Sequence, residues 1–145
     1  MRALVRPSCE EDCQHLLPNL READRLEIEA HNADPSIALD LGYQGSDPCM
    51  TVEYQSEPIA MFGVTPCIGH EDIGLVWLLG SDKIKDIRIQ FLRESREWLD
   101  QIGTNYDMLC NVVWEGNTLH HRWLKHLGFR FLSYRSPFYE FARFC

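Results

Sequence analysis

The sequence predicts one α/β (α+β) domain around a mixed sheet, with elements in the order β-α-α-β-β-β-α-β-α-β-β. Three observations carry this. Residues 73–79, Ile-Gly-Leu-Val-Trp-Leu-Leu, are apolar on both parities, as in a central strand covered on both faces. Ile84, Ile87, Phe91, Leu92, Trp98, Leu99 and Ile102 then fall at helical spacing with charge on the opposite side. Residues 108–114 form a second near-continuous apolar run. Two buried strands joined by a helix make a parallel βαβ unit with a right-handed crossover. The working centre is therefore expected between Gly74 and Phe129.

The remaining elements follow from local signals. Residues 2–5 read as a first strand stopped by Pro7. Ser8-Cys9-Glu10-Glu11 reads as a capping box for a short helix that Pro18 ends. Asn19 is expected to cap a second helix, with Glu22 three positions on. That helix places Leu20, Ala23, Leu26 and Ile28 among many charges, so it should lie on the surface or across the mouth of a site. Residues 33–48 hold Pro35, Gly42, Gly45 and Pro48, and are expected to be loop with one helical turn at 37–41. Strands are expected at 50–54 and 58–64, turning at Ser56-Glu57-Pro58. Gly80-Ser81-Asp82 opens the long helix and Gly103 closes it. A short helix from Asn117 or Thr118 runs to Leu127, where Gly128-Phe129 fits a Schellman cap that packs Phe129 on Leu124. The tail from 129 to 143 reads as a hairpin turning at Ser136-Pro137.

Composition narrows function. At 145 residues the chain is one domain long, with no repeat or linker. Acidic residues outnumber Lys and Arg by 22 to 14, a net charge of −8, which argues against a nucleic-acid footprint. No apolar segment has the length of a signal peptide or a membrane span, so no membrane association is expected. Six scattered cysteines without a C-x-x-C pair read as reduced and mostly buried thiols, which places the chain in a reducing cytoplasm.

Several residues carry candidate chemistry. His70-Glu71-Asp72 reads as a solvated loop before a buried strand, with a base or metal ligand as the sharper alternative. His120, His121 and His126 lack the i, i+4 face of a metal site, and no metal is expected. Asp24 and Glu27 sit one turn apart and face the same way; pairing with Arg21 and Arg25 explains them, and the pocket of an acceptor amine is the functional alternative. Asn111 is the polar residue inside an apolar strand and needs a partner, either across the strands or on a ligand amide. Asn117 is explained as a helix N-cap. The four tryptophans are assigned to core and Cys110 to an inert thiol.

The order of elements, with Asn117…Trp123-Leu124-Lys125-His126-Leu127-Gly128-Phe129, resembles the GNAT (Gcn5-related N-acetyltransferase) fold. A narrower resemblance covers nearly the whole chain. Asp24-x-x-Glu27, Ala60-Met61-Phe62-Gly63-Val64-x-Pro66, Trp77-Leu78-Leu79-Gly80-Ser81, Phe91-Leu92-Arg93-x-Ser95-Arg96 and Asn111-x-Val113-x-x-x-Asn117 are similar to a group of GNAT-like proteins of tailed bacteriophages and prophages. That group is related to the small internal virion protein of short-tailed coliphages.

The resemblance implies that the two central strands splay apart to hold acetyl-CoA or CoA. Leu78, Leu79, Gly80, Ser81, Lys83, Asn111 and Asn117 are the binding positions it implies. Glu71 or Asp72 becomes the candidate general base, and Asp24 and Glu27 join them as catalytic candidates. Two departures stand out. The loop Gly80-Ser81-Asp82-Lys83-Ile84-Lys85 has one glycine and an aspartate where the family places a glycine-rich phosphate loop. Leu124 occupies the position, four before Gly128, at which many GNAT enzymes carry a proton-donating tyrosine. The expected function is therefore a phage-encoded GNAT-like protein of virion assembly or the internal virion, with degenerate acyltransferase machinery. The alternative is an active acyl-CoA-dependent N-acyltransferase acting on a host protein or small amine. Expected partners are phage structural proteins or a host protein, in the host cytoplasm or the virion.

Overall fold

The structure, a computed structural model, describes residues 2–145. The strands are β1 (Leu4–Pro7), β2 (Cys49–Tyr54), β3 (Glu57–Cys67), β4 (His70–Gly80), β5 (Met108–Trp114), β6 (Arg130–Arg135) and β7 (Phe138–Phe144). The helices are α1 (Glu10–Leu16), α2 (Glu22–Ala30), α3 (Pro35–Gly45), α4 (Arg88–Ile102) and α5 (Thr118–His126). One sheet runs β1-β2-β3-β4-β5-β7-β6, antiparallel throughout except where β4 meets β5. The parallel βαβ unit is thus β4-α4-β5.

The apolar parities of the strands sort the helices onto two faces. Val76 and Leu78 join Phe91, Trp98, Leu99 and Leu124 in the larger core beneath α4 and α5. Leu79 and half-buried Trp77 point the other way, to Leu16, Ile28 and Leu39 of α1, α2 and α3. Covering both faces explains the unbroken hydrophobic run of β4. At the end of α5, Gly128 takes φ +90° and the Phe129 N–H donates to the Leu124 carbonyl at 3.0 Å, so the chain turns back as the glycine predicts.

Four local expectations are corrected. The loop of residues 33–48 contains a three-turn helix, α3: Asp34 caps it through the Ser36 N–H and Pro35 occupies its first turn. The α1 cap is Cys9 rather than Ser8, because the Asp12 carboxylate accepts the Cys9 N–H at 2.9 Å while the Ser8 hydroxyl meets Thr51 Oγ1. Asn19 does not cap α2; its amide donates to the His15 carbonyl, and α2 starts after Arg21. The β2–β3 turn is Gln55-Ser56, both at positive φ, so Glu57 and Pro58 already belong to β3. The thiols, further, are not mostly buried: Cys9 and Cys145 are exposed and the other four half-buried, all free.

Candidate functional site at the split in the sheet

The ladder between β4 and β5 is short. Ile73, Gly74 and Leu75 pair with Met108, Leu109 and Cys110, and no pair follows. Beyond that point the strands part. Asn111 spans the opening, its amide nitrogen donating to the Val76 carbonyl at 2.9 Å while its side-chain oxygen accepts the Val112 N–H at 2.8 Å. The polar residue in an apolar strand is thereby satisfied on both sides, as a half-buried amide must be. A cavity of about 260 Å³ runs through the gap, lined by Ile28 and Gly42 from one face and by Leu99, Leu124 and Leu127 from the other.

Helix α2 lies across this gap and is fastened by its acidic side chains. Asp24 is wholly buried. Its Oδ2 accepts the Gly80 N–H at 3.0 Å, and its Oδ1 accepts Asn117 Nδ2 at 3.0 Å and Arg21 Nη1 at 3.1 Å. The Arg21 backbone N–H completes the join by donating to the Gly80 carbonyl at 2.8 Å. One helical turn on, Glu27 Oε1 accepts the Trp114 N–H at 2.7 Å, at the far lip of the gap. Burial pushes the Glu27 carboxyl up to about 7; the Trp114 N–H opposes this and the Asp24 charge adds to it. Beyond the helix, the His31 ring stacks on Phe138 of β7 at 4.0 Å between centroids.

His120, on α5, belongs to the same cluster. Its Nε2 is 3.4 Å from Asp24 Oδ1 but poorly aligned, and it has no hydrogen-bond partner. Burial lowers its pKa, with Asp24 pulling the other way, so the imidazole is held neutral.

Hydrogen-bonding direction alternates along a strand, so Val76, Leu78 and Gly80 turn their backbone groups toward the gap. Asn111 takes the Val76 carbonyl, and α2 takes both groups of Gly80. Leu78 is left: among the described residues no strand or side chain meets its N–H and C=O. Leu78 also heads a second hollow, of about 560 Å³, between α4 and α5. Ile84, Phe91, Leu119 and Trp123 form its floor, Lys85, Arg88 and Arg122 its rim, and no carboxylate lines it.

Three of the seven implied cofactor positions converge on the gap: Leu78, Leu79 and Asn111 line its cavity, with Leu79 also packing on the α1–α3 core. Gly80 is engaged by α2; Asn117 sits at the N-cap position of α5, its carbonyl accepting the His121 N–H, but its fully buried side chain caps nothing and turns to Asp24 and Arg21. Residues 82–87 form a 3-10 helix in place of an open phosphate loop. Its first turn is closed on Ser81, which accepts Lys83 N–H with its hydroxyl and Ile84 N–H with its carbonyl. The Lys83 ammonium turns away to pair with Glu57. Of the four catalytic candidates, Asp24 and Glu27 lie at the gap. Glu71 and Asp72 are exposed at the opposite, closed end of β4, before its pairing with β5 begins. Arg21 is legible from its i, i+3 spacing to Asp24, whereas His120 and the basic rim carry no local sequence signal, since the groups they meet lie on other elements. No group of His, Cys, Asp and Glu among the described residues is arranged to hold a metal ion.

Comparison with known families turns on β2 through β6. The model described as "Bacteriophage T7, probable scaffold protein Gp13" matches residues 48–134, more than half of the chain. The chain belongs to the Gp13 family. The "Probable scaffold protein gp13" of Escherichia phage T7 is 29% identical over 128 residues, which cover 86% of this chain and 82% of that protein. Solved structures add the fold. The GNAT domain of S. lividans PAT superposes with TM-score 0.72 at 15% identity, covering 99% of this chain and 90% of that one. PaiA N-acetyltransferase of Thermoplasma acidophilum, in complex with coenzyme A, gives 0.71 at 12% identity with both chains fully covered. Ard1 of Thermoplasma volcanium gives 0.70 at 13%, covering 99% and 98%. This Gp13-family chain has the GNAT fold, and the gap between β4 and β5 is the splay expected of it.

Proposed function

We propose that the chain serves assembly of a phage particle or its internal virion, on a GNAT scaffold that no longer performs acyl transfer. The observation that carries this reading is the Asp24 clamp on Gly80. An acyl-CoA lying along the splayed edge of β4 needs free backbone groups and an anion-binding turn at the strand's end. Here the N–H and C=O of Gly80 are both consumed by α2, and the following turn is closed on itself as a 3-10 helix. Leu124, buried beside the cavity, offers no proton to a leaving thiolate. Membership of the Gp13 family, whose T7 protein is named a probable scaffold protein, supports the assembly role. No helix of the described residues is long and apolar enough to cross a membrane.

Acetyl-CoA titrated past millimolar concentration should leave the melting temperature unchanged, and mass spectrometry of purified virions or of assembly intermediates should find the chain with phage structural proteins. Turnover of acetyl-CoA that vanishes in Asp24→Ala or Glu27→Gln would establish the rival, an active N-acyltransferase, in its place.

A further inference from the structure

The hollow between α4 and α5 carries charge opposite to that of the chain as a whole. The chain carries a net −8, yet Lys85, Arg88 and Arg122 stand together around an apolar floor with no carboxylate among the lining residues. Arg88 and Arg122 are exposed and make no ion pair among the described residues; Lys85 approaches Asp82 only at 4.0 Å. Leu92 and Leu119, on the facing helices, are 44% and 41% exposed at the same groove, so the apolar surface reaches the rim. At the inner end sits Leu78 with its unpaired N–H and C=O, next to nine-tenths-buried His120 with its unpartnered Nε2.

These features describe an occupant. An unpaired N–H and C=O on one residue of a strand edge are met by another extended backbone. Two unpaired guanidinium groups, with Lys85 held only loosely by Asp82 beside them, call for carboxylates or phosphates. The closed 3-10 turn after Ser81 provides no cradle of N–H groups for phosphate, so the cations are left for carboxylates. The floor of Ile84, Phe91, Leu119 and Trp123 calls for alternating apolar side chains. We infer that the α4–α5 groove binds an extended acidic segment of a partner protein, whose backbone pairs with Leu78, whose carboxylates meet Lys85, Arg88 and Arg122, and whose apolar side chains cover the floor. This rests on the assembly reading and names the chemistry of the partner.

The test uses the full chain and a short fluorescein-labelled peptide of alternating glutamate and leucine, with its lysine-for-glutamate counterpart as control. Fluorescence anisotropy should show saturable binding of the acidic peptide alone, weakened by salt. Arg88→Glu and Arg122→Glu, both at exposed positions, should each weaken it about tenfold or more. Arg122→Gln should fall between, and all three should keep the wild-type melting temperature. Binding that ignores these substitutions overturns the inference. Absence of peptide binding overturns it too, and leaves the assembly reading to the virion measurement. Stabilisation by CoA that the same substitutions abolish makes the groove a nucleotide site, and both readings fall.

Discussion

Replacing Glu27 with glutamine tests whether α2 is held across the gap by a buried, neutral carboxyl. Glu27 is at about 7 in the folded chain against an ordinary 4.5, chiefly through burial. Between those values the folded protein holds a proton that the unfolded chain has released, so stability falls as pH rises through the window. A shift of that size corresponds to about 3 kcal/mol, complete by about pH 8. Glutamine keeps an oxygen for the Trp114 N–H and does not titrate. At pH 5 the two proteins should match closely. At pH 8 Glu27→Gln should be the more stable by about 3 kcal/mol, on the order of 6–12 °C in melting temperature. His120 contributes with the opposite sign, because its lowered pKa makes the folded state lose stability as pH falls below about 6.5. It is common to both proteins, so the difference between their urea-denaturation curves from pH 5 to 8.5 isolates Glu27. A difference that stays flat across this range, or a glutamine variant that is less stable at every pH, refutes the burial argument.

Other positions give separate outcomes. Asp24→Ala strands the Arg21 guanidinium, which is 8% exposed, and should cost about 3–5 kcal/mol by urea denaturation; a loss below about 1 kcal/mol contradicts the network. Asn111→Ala leaves the Val76 carbonyl without its donor and should cost about 1–3 kcal/mol, read by the same method. Gly74→Ala places a methyl 2.3 Å from Val64 Cγ1 and 3.0 Å from Leu109 Cδ2, where β4 and β5 still pair, and should lower stability by about 1–3 kcal/mol in calorimetry. Asp12 reports at the acid end. Burial alone would raise it, but Arg6, the Cys9 N–H and Thr51 hold it down to about 2, so its contribution is present above about pH 4 and is lost as pH falls through 2. Asp12→Asn should flatten that acid limb in circular-dichroism melts.

The strand–helix–strand centre could be read from sequence because its signals are local and strong. The apolar parity of β4, the helical spacing of α4 and the Gly128 cap each need only neighbours along the chain. Helix α3 reads from sequence as loop with one helical turn at 37–41, although Asp34-Pro35 is an N-cap followed by a first-turn proline. Its glycines pointed to loop, and Ile37 and Leu41 are exposed while Leu39 alone is buried, so its hydrophobic face is too thin for a period to register. The candidate site was legible by residue and not by partner. Arg21 does pair with Asp24, as the spacing suggests, but Glu27 meets Trp114 across 87 positions and Asn117 meets Asp24 across 93. Local rules place Asn117 at the N-cap of α5, where it is, but cannot see that α2 takes its side chain. The basic groove was invisible for the same reason: Arg88 and Arg122 become neighbours only once α4 and α5 lie side by side.

The parting of β4 and β5 also bears on how such a protein stays in solution. A sheet that opens in its middle acquires two internal edges, each a row of backbone groups able to recruit any stray strand, including one from another copy. In this chain the Asn111 amide, the Asp24 carboxylate and the Arg21 backbone stop that edge one residue at a time, until a single step at Leu78 remains. One residue of free backbone is enough for the acidic segment we propose and gives a growing fibril nothing to extend.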